Sequence, residues 1–374
     1  MYNVLMITPS YKPAFIYGGP IFSVSYLSEC LSSKNINIVV FTTNADGKQN
    51  LDYRNNTKKI IEGVSVYYFK RQTKDHTHLS FGLLYKLWKE ESKYDAIHIH
   101  SWWNTVAVLS LILLVLKKHK NIILSPRGML SYYTLERSAF KRIFHLIIGD
   151  YLLSKIKIHV TSQNELNQIL TLNNKYNVSL IPNLIKLNFI DITKSWDKDK
   201  LELLYLSRIH PKKNIEIVFN ALASLNKKFR LKIVGDGDPR YINVLKKLSE
   251  SLKISDNIEW LGSKYGEEKE SIFEQSELYI LVSHDENFAN SVLESLSFKT
   301  PVLISSNIGM SKFVNAYNVG WVCDDLKSIV SVLNQIISDK SLLFEKSENC
   351  LNAISMEFNQ EIILNNYIKL YKHK

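Results

Sequence analysis

The sequence predicts an α/β protein made of two Rossmann-like domains, each with a parallel sheet. Short apolar segments typical of buried strands alternate with amphipathic helical segments along the chain, which is the pattern of βαβ units. The chain has 374 residues, enough for two domains of ordinary size. Hydrophobic residues make up 45% of the sequence and charged residues 22%, which is typical of soluble globular proteins and excludes a disordered chain.

The first predicted domain covers residues 1–184. Its strands are short and rich in Val, Ile and Leu, as expected for strands that are covered on both faces. They are Tyr2–Thr8, Ile36–Thr42, Val64–Phe69, Asp95–His100, Asn121–Ser125, Ile156–Thr161 and Val178–Ile181. Periodic apolar residues predict helices at Ile21–Ser33, near Phe81–Glu91 and over a stretch close to Leu135–Lys155.

The second predicted domain covers residues 185–357, and a polar, irregular linker extends from Pro182 to Lys200. A second series of strands follows: Leu201–Ser207, Phe229–Val234, Ile258–Leu261, Leu278–Val282 and Pro301–Ser305. The sequence lacks the dinucleotide fingerprint G-x-G-x-x-G, because Gly235-Asp236-Gly237 is too short and is followed by Pro239. A further periodic segment, Ile363–Tyr371, predicts a helix within a C-terminal stretch at 358–374.

Cysteine content and charge narrow the class of protein. Cys30, Cys323 and Cys350 lie far apart without a C-x-x-C motif, so we expect reduced thiols in a cytoplasmic protein. Residues 1–10 lack the features of a signal peptide, and the longest apolar run, Val106–Leu116, is too short to span a bilayer. The net charge of +11 predicts an anionic partner, which is a phosphate, a membrane surface or a nucleic acid.

Two glutamates follow the predicted strand Leu278–Val282. Glu286 falls on the loop beyond the carboxyl end of the strand, where ligands of open α/β sheets bind. Glu294 falls in the first turn of a helix for which Asn290 and Ser291 look like capping residues. The residues alone leave a second interpretation open, because Ser291-x-x-Glu294 fits a capping box and Glu286 fits an ordinary solvated acid.

A basic turn follows the predicted strand Leu201–Ser207. Arg208 ends the strand, Lys213 precedes the predicted helix cap Asn214, and a helix follows. Two cations and a helix N-terminus at one place suit a diphosphate, although a basic loop is most often simply solvated. Because Arg208, Lys213 and Glu286 all follow predicted parallel strands, we expect them to meet at one edge of the sheet.

Weaker patterns occur in the first predicted domain. Gly18-Gly19-Pro20 lies between a strand and a helix, where glycine lets backbone N–H groups approach a phosphate, although a plain loop is the simpler explanation. His98 and His100 share a strand face, but no third ligand stands at zinc-like spacing. We therefore expect His98 to be structural and His100, at the end of its strand, to line a ligand cleft.

These motifs resemble those of the retaining, GT-B-fold glycosyltransferases of family 4. Glu286 and Glu294 are separated by seven residues, Phe288 stands two positions after the first, and Pro301 opens the next strand, which is similar to the E-x7-E signature of that family. The resemblance implies that Glu286 lies beside the donor sugar and that Glu294 binds the ribose hydroxyls of the nucleotide. Ala289 replaces the glycine that is usual in the family.

The resemblance covers nearly the whole chain. Arg208 and Lys213 match the Arg-x4-Lys diphosphate clamp of the family, apart from Ser207 in place of the usual glycine, and Gly19 matches the glycine turn that faces the diphosphate. Arg127, in the segment SPRGML, stands where many members have His, as in a subgroup of bacterial exopolysaccharide transferases, and this implies a place in the cleft. Further donor-binding positions that the resemblance implies are Phe288, Ala289, Asn290, Lys264 and Tyr265.

The resemblance also implies an activity. It implies two domains that face each other across a cleft, with the nucleotide-sugar on the second, the acceptor on the first, and the last helix crossing back to the first. The donor is expected to be UDP-linked, and the acceptor a glycan or polyprenyl-linked glycan in surface polysaccharide (lipopolysaccharide or capsule) biosynthesis. In the family the departing diphosphate helps to deprotonate the acceptor hydroxyl. Arg208 and Lys213 would neutralise its charge, so we expect no metal cofactor.

We also expect action at the inner face of the cell membrane. The predicted helix Leu135–Lys155 carries Arg137, Lys141 and Arg142 beside apolar residues, a combination that favours an anionic leaflet. The alternative is that its apolar side packs on the sheet and its cations stay in water. Two other functions stay open: a catalytically inactive nucleotide-binding protein, and a nucleic-acid-binding protein. No stripe of basic and aromatic residues beyond Arg137–His145 favours nucleic acid as a partner.

Overall fold

The computed structural model describes residues 1–75, 77–136, 138–189, 192, 194, 196, 199–225 and 229–372. Within them the chain forms two compact units, one from Met1–Lys186 with Gln360–Lys374 and the other from Leu187–Asn359. Each unit is a Rossmann-like α/β fold around a mainly parallel sheet, so the predicted fold class is confirmed. The last helix belongs to the first unit, as the resemblance implied.

In the described part of the first unit, eight strands form one sheet in the order β10-β9-β8-β7-β1-β2-β6-β5, and a small hairpin pairs β3 with β4. All neighbours in the large sheet are parallel except β5 and β6. The strands are β1 (Tyr2–Thr8), β2 (Ile36–Thr43), β3 (Ala45–Asp46), β4 (Gln49–Asn50), β5 (Thr57–Ile61), β6 (Val64–Phe69), β7 (Ala96–His100), β8 (Ile122–Ser125), β9 (Lys157–Val160) and β10 (Asn177–Leu180).

Helices of the first unit connect these strands, and the C-terminal helix packs onto the same sheet. They are α1 (Gly19–Ser32), α2 (Phe81–Glu90), α3 (Thr105–Leu116), α4 (Tyr132–Glu136), α5 (Ala139–Phe144), α6 (Asp150–Leu153), α7 (Gln163–Leu172) and the last helix of the chain, α15 (Gln360–Lys372). A π-helical turn, His145–Gly149, joins α5 to α6, and short 3-10 turns lie at Phe15–Tyr17 and Glu91–Lys93.

The described part of the second unit holds a six-stranded, fully parallel sheet in the order β13-β12-β11-β14-β15-β16. Its strands are β11 (Leu201–Leu206), β12 (Phe229–Val234), β13 (Ile258–Gly262), β14 (Leu278–Leu281), β15 (Val302–Ile304) and β16 (Gly320–Val322). Its helices are α8 (Ile215–Ala223), α9 (Pro239–Ser251), α10 (Gly266–Gln275), α11 (Asn290–Ser297), α12 (Ser311–Ala316), α13 (Leu326–Ser338) and α14 (Ser341–Glu357), with 3-10 turns at Pro211–Lys213 and Ser255–Asn257.

The strand order of the second unit decides where a ligand can bind. Numbered within the unit, the strands run 3-2-1-4-5-6, which is the order of the Rossmann dinucleotide-binding fold. In this order the chain reverses its direction of winding between the first and fourth strands, here β11 and β14. The loops that leave the carboxyl ends of these two strands therefore diverge, and the crevice between them is the usual ligand site of such sheets.

The predicted helix over Leu135–Lys155 is wrong as a single continuous helix. The described chain has α4 ending at Glu136, and a new helix, α5, beginning at Ala139. Ser138 caps α5, because its side-chain oxygen accepts a hydrogen bond from the backbone N–H of Lys141. The π-helical turn then shifts the phase of the side chains before α6. Arg137, which was assigned to this helix, lies outside the described residues.

A chain of buried hydrogen bonds links the first sheet to α15. His159 Nε2 is 2.8 Å from the carbonyl oxygen of Ile181, which can only accept, so this nitrogen donates. His159 Nδ1 then accepts from Ser125 Oγ at 2.6 Å, and Ser125 Oγ accepts from His98 Nε2 at 2.7 Å. His98 Nδ1 in turn accepts from the hydroxyl of Tyr371 on α15 at 2.9 Å. Every polar side-chain atom in this series of hydrogen bonds has a partner only if His98 and His159 are both neutral.

Burial keeps both histidines neutral. Burial, together with the neighbouring His100, His159 and Arg127, lowers the pKa of His98 well below its ordinary value. Burial and the charge of Arg127 also lower the pKa of His159, to about 3. The prediction that His98 is structural is therefore consistent with its place in the core, where it fastens α15 to the sheet.

Replacing Ser125 with Ala should destabilise the first unit strongly. The change leaves a nitrogen of His98 and one of His159 buried without a partner, and each unsatisfied group costs about 1–3 kcal/mol. We expect the free energy of unfolding, from urea titration followed by circular dichroism, to fall by about 2–4 kcal/mol. Ser110→Ala is the matched control, because Ser110 is equally buried and its hydroxyl has no hydrogen-bond partner within the described chain. Equal stability of the two variants would contradict the hydrogen-bond chain.

Candidate functional site

The loops after β11 and β14 bring oppositely charged side chains together at the winding reversal of the second sheet. Lys213 lies in the 3-10 turn after β11, and Glu286 lies on the loop after β14, 73 residues further along the chain. Their side chains form a direct ion pair. Beside it Lys212 pairs with Asp285, with 2.9 Å between Nζ and Oδ2. The expectation that these residues meet at one sheet edge is therefore met for Lys213 and Glu286.

The electrostatic surroundings of Glu286 keep its carboxylate ionised. Burial by itself would raise the pKa of this group, but Lys213, Lys212 and Arg208 together outweigh burial and hold its pKa below the ordinary value. Lys213 is itself buried, with 8% of its surface exposed. Glu286 is half-buried, so the ion pair gives a partner to one buried charge and to one partly buried charge.

The backbone around Glu286 is fixed on both sides. Its N–H donates to the carbonyl of Asn307 at 3.2 Å, and its carbonyl accepts from the N–H of Gly309 at 2.9 Å. These bonds form an isolated parallel bridge between Glu286 and Ile308, beyond the end of β15. The loop that carries Glu286 is thus an extension of the sheet, and this extension holds the carboxylate over the carboxyl ends of the strands.

Gly235 and Gly237, which do not form a dinucleotide fingerprint, position the turn that carries Arg208. Gly235 and Gly237 continue β12 alongside that turn, where Ile209 N donates to Asp236 O at 2.8 Å. A Cβ on Gly235 would lie 1.9 Å from the carbonyl oxygen of Ser207, and one on Gly237 would lie 2.0 Å from that of Ile209. Both positions therefore require glycine for close backbone approach.

Arg208 itself projects into solvent. Its side chain is exposed, and within the described chain it has neither a hydrogen-bond partner nor an ion-pair partner. Lys213, in contrast, is committed to Glu286. Directly after Lys213, Asn214 has the left-handed backbone conformation (φ 53°, ψ 46°), and α8 begins at Ile215. Asn214 occupies the predicted cap position, but its side chain makes no capping hydrogen bond. The site thus combines an exposed cation, a paired cation and a helix N-terminus.

Ala289 has a backbone conformation that favours glycine. Its φ is 61° and its ψ is 75°, in the left-handed region that costs an L-residue about 1–2 kcal/mol. Glycine adopts this conformation without that cost. Phe288, just before it, is buried and meets the ring of Phe358 edge to face, with 6.0 Å between centroids. Phe288 therefore anchors the strained backbone next to it in the core of the second unit.

The capping box considered for α11 is not formed. The cap position is Ala289, with Asn290 as the first helical residue, and no side chain caps the helix. Ser291 Oγ lies instead 2.7 Å from the hydroxyl of Tyr279. Glu294 is the fifth residue of α11, one turn later than predicted, and its carboxylate accepts a hydrogen bond from Lys269 Nζ at 2.9 Å. Lys269 was not singled out from the sequence.

Lys264 and Tyr265 lie on the loop after β13, as expected. Lys264 forms an i,i+4 ion pair with Glu268 of α10, with 3.3 Å between Nζ and Oε1. Tyr265 is exposed and occupies the N-cap position of α10, without a capping hydrogen bond from its side chain. The same helix carries Lys269, so the loop and α10 together place two lysines near this end of the sheet.

In the first unit, α1 begins earlier than predicted. Gly19 and Pro20 form its first turn, so Gly19 is a helical residue rather than part of a preceding loop. The residue with the demanding conformation is Gly18, with a φ of 69° and a ψ of −138°. A glycine is therefore needed at the turn into the helix, one position before the predicted phosphate-facing residue.

Arg127 and His100 contact each other within the first unit. Arg127, in a left-handed conformation (φ 58°), follows β8 and is half-buried. It donates to His100 Nδ1 and Ser23 Oγ, both at 3.3 Å, and to Asn183 Oδ1. His100 is only 2% exposed, and burial with the charge of Arg127 lowers its pKa well below the ordinary value. His100, which was expected to line a ligand cleft, is enclosed beside Arg127, and Arg127 is not a simple surface arginine.

The described residues form neither an evident metal centre nor a helix that could span a membrane. No group of three or more His, Cys, Asp or Glu side chains in the described chain could hold a metal ion. No helix in the part of the chain that the structure describes is both long enough and apolar enough to cross a membrane. The cationic and anionic side chains at β11 and β14 are suited to a ligand that carries both phosphate groups and hydroxyls.

Comparison with known families gives two matches that follow each other along the chain. Residues 17–189 match the family described as Glycosyltransferase Family 4. Residues 189–354 match the family described as Glycosyl transferases group 1.

Similar sequences include one short match and one over the full length. The alpha-monoglucosyldiacylglycerol synthase of Streptococcus pneumoniae is 32% identical over 114 residues, which cover 30% of this chain and 26% of that protein. An uncharacterized glycosyltransferase of Methanocaldococcus jannaschii is 22% identical over 99% of this chain and 98% of its own.

Similar solved structures extend over the full chain at low sequence identity. Sucrose-phosphate synthase from Thermosynechococcus elongatus has a TM-score of 0.79 at 18% identity and covers 100% of this chain and 98% of its own. HepE of Anabaena, in complex with UDP and glucose, has a TM-score of 0.78 at 17% identity, with 99% of each chain covered. WaaG, a glycosyltransferase involved in lipopolysaccharide biosynthesis, has a TM-score of 0.73 at 13% identity and covers 99% of this chain and 100% of its own. At these identities the likeness concerns the fold.

Proposed function

This chain belongs to the GT4-type glycosyltransferases with the GT-B fold, and from that membership we propose that it moves a sugar from a nucleotide-sugar to an acceptor hydroxyl with retention at the anomeric carbon. The observation that carries the proposal is the ion pair of Lys213 and Glu286 at the winding reversal of the second sheet. It unites a cation for a phosphate and a carboxylate for sugar hydroxyls in a single place.

The diphosphate of the donor binds between Arg208, Lys213 and the N-terminus of α8. Arg208 is exposed and available for a bidentate contact with phosphate oxygens. Lys213 leaves Glu286 to reach the diphosphate, and the N-terminus of α8 adds its dipole. In the first unit, the backbone N–H groups near Gly19 are the expected further contact with the diphosphate.

The sugar and the nucleoside bind through the two glutamates. Glu286, released from Lys213, accepts hydrogen bonds from hydroxyls of the donor sugar, and Glu294 accepts them from the ribose. Phe288, Ala289 and Asn290 shape the sugar pocket between them. The nucleobase lies against the loop with Lys264 and Tyr265. UDP is the expected nucleotide, because HepE, which is similar in fold, was solved with UDP and glucose.

The reaction follows the front-face course implied by the family. The bond between the anomeric carbon and the diphosphate oxygen breaks, and the acceptor oxygen bonds to that carbon on the same face. The acceptor proton passes to an oxygen of the departing diphosphate. Negative charge develops on the leaving group, and Arg208 and Lys213 stabilise it, which is electrostatic catalysis by fixed groups. The protein otherwise contributes positioning.

The acceptor is a glycan or polyprenyl-linked glycan of a surface polysaccharide, and it binds the first unit near Arg127. His100 acts on it only through Arg127, because its own ring is buried. WaaG, which is similar in fold, is involved in lipopolysaccharide biosynthesis, and a second similar protein is a synthase of a glucosyldiacylglycerol; both names support an acceptor that is attached to a lipid. A lipid-linked acceptor is confined to a membrane, so we also propose that the protein works at the inner face of the cell membrane.

Replacing the two glutamates should separate turnover from nucleotide binding. We expect Glu286→Gln to lower the rate of UDP-glucose turnover about 100-fold while the affinity for UDP changes little. Glu294→Gln should weaken UDP binding by about 1.5–3 kcal/mol, as expected for hydrogen bonds to a charged group. Calorimetry gives the affinity, and NMR of the released sugar or glycoside gives the rate and the anomeric configuration.

Glu274→Gln is the control for these variants, because Glu274 lies exposed on α10. An inverted anomeric product would contradict retention. A chain that binds UDP but turns over none of the UDP-, GDP- or ADP-sugars would instead be the inactive nucleotide-binding protein. Loss of stability without loss of UDP affinity in Glu294→Gln would remove the role of Glu294 at the ribose.

Transfer should not require a divalent metal, because in this proposal Arg208 and Lys213 neutralise the charge of the leaving group. We expect turnover of the nucleotide-sugar to be unchanged, within about twofold, after dialysis against EDTA. Arg208→Met should lower the turnover rate under the same conditions. Activity that disappears with EDTA and returns with Mn²⁺ or Mg²⁺ would overturn this proposal.

A further inference from the structure

The helices α5 and α6, with the π-helical turn between them, leave a large apolar face uncovered. Phe140, Leu146 and Ile147 are 74%, 70% and 70% exposed, and Ile143 and Tyr151 are more than half exposed. Of the apolar residues on this segment, Leu152 and Leu153 are buried in the core of the first unit. The apolar residues of this segment therefore do not all pack on the sheet, which was the alternative to membrane contact.

The neighbouring helix α3 continues this apolar face. It lies between α2 and α6 and contacts both, so the helices form one layer. The sequence of α3, TVAVLSLILLVL, contains no charged residue, although the outward side of a helix in an α/β domain is normally polar. Its residues Ile112 and Leu113 are half-buried, and Leu116 is 76% exposed at its end. Ile112 and Leu113 also pack against the core, so α3 contributes to the outward surface mainly through Leu116 at its end.

Exposed aromatic residues on α2 complete the surface. Phe81, Tyr85 and Trp88 follow at i, i+4 and i+7, and each is more than half exposed. We call the whole the helix-layer surface. Its exposed apolar residues are Phe81, Tyr85, Trp88, Leu116, Phe140, Ile143, Leu146, Ile147, Ile148 and Tyr151.

Lysines surround the exposed rings of the helix-layer surface. The ammonium group of Lys89 lies 4.6 Å from the ring centroid of Tyr85, that of Lys117 lies 5.2 Å from Trp88, and that of Lys155 lies 5.3 Å from Tyr151. Lys118 and Arg142 are exposed as well.

The acids at the end of α2 cancel part of this charge, but Lys89, Lys118, Arg142 and Lys155 have no ion-pair partner within the described chain. Glu90 pairs with Lys86 and Lys93, and Glu91 pairs with Lys117. The surface therefore combines apolar side chains, aromatic rings and an excess of cations.

We propose that the helix-layer surface docks onto a lipid bilayer with anionic headgroups. Apolar side chains enter the boundary of the acyl chains, Trp and Tyr rings lie at the level of the headgroups, and the lysines contact phosphates. Monomeric soluble proteins rarely expose large apolar patches, so ten exposed apolar residues on neighbouring helices favour a partner for this surface. The bilayer is a partner for the function proposed above, and the choice of a membrane as that partner rests on the proposed function.

Charge favours a bilayer over a second copy of the chain. Two copies that paired through this surface would bring the cations of one against those of the other, which costs free energy. Lysine is also depleted in the interfaces of protein oligomers. An anionic bilayer, in contrast, matches the cations and covers the apolar side chains at the same time. Both features of the surface therefore have one explanation.

The test is binding of the full chain to vesicles without nucleotide. We expect binding to vesicles of phosphatidylcholine with phosphatidylglycerol, and weaker binding at high salt or on phosphatidylcholine alone. Leu146→Ser with Ile147→Ser should lower the partition coefficient about tenfold or more, because two exposed apolar side chains are lost from the contact. The matched control is Val244→Ser with Phe344→Ser, which changes two exposed apolar residues of the second unit.

A second pair of variants tests the charges. Lys118→Glu with Arg142→Glu should lower binding to anionic vesicles about tenfold or more, and Lys247→Glu with Lys312→Glu, a change to exposed lysines of the second unit, should lower it less. Equal losses in both pairs, equal binding to neutral and anionic vesicles, or self-association that Leu146→Ser with Ile147→Ser abolishes would each overturn the proposal. UDP affinity, measured on the same preparations, reports on the proposed function separately.

Discussion

The contact between Lys213 and Glu286 is the constraint on which the candidate site depends. It joins the loops after β11 and β14 at the place where the winding of the second sheet reverses. Because the two side chains form an ion pair, both can stay charged although little of either is exposed to water. Without a ligand, each neutralises the other. In the function proposed here, a diphosphate would offer Lys213 a stronger partner, and a sugar would offer Glu286 hydroxyl groups in place of the ammonium group. Donor binding would therefore replace the ion pair with contacts to the diphosphate and the sugar, so that neither Lys213 nor Glu286 is left without a partner.

The surrounding backbone makes that exchange possible without rearranging the sheet. Gly235 and Gly237 allow the turn with Arg208 to lie against the extension of β12, and the bridge from Glu286 to Ile308 holds the opposite loop. Ala289 is held in a left-handed conformation next to the buried ring of Phe288. Strain of this kind persists where the surrounding structure enforces it, and it is frequent at ligand sites. The site thus consists of a hydrogen-bonded, closely packed backbone around the paired side chains of Lys213 and Glu286.

Sequence patterns predicted the meeting of Lys213 with Glu286 and twelve of the sixteen strands in the described chain, whereas β3, β4, β5 and β16 were not predicted. Every strand predicted from an apolar run is present with its ends shifted by no more than one residue, because burial on both faces requires such runs. Local sequence patterns did not predict side-chain contacts between elements that are distant in the sequence. Glu294 pairs with Lys269 of another helix instead of capping its own, and His100 is enclosed by Arg127. The exposed side of α3 was equally unpredictable, because an apolar run looks the same whether it faces a core or a membrane.

The most direct test of this account is a crystal structure of the chain with UDP-glucose. We expect Lys213 Nζ to leave Glu286 and to lie about 2.7–3.2 Å from an oxygen of the β-phosphate. The carboxylate of Glu286 should then accept hydrogen bonds from the glucose hydroxyls, with the ribose at Glu294. A nucleotide bound elsewhere on the second unit, or an intact pair of Lys213 and Glu286 with no contact to the diphosphate, would contradict the account.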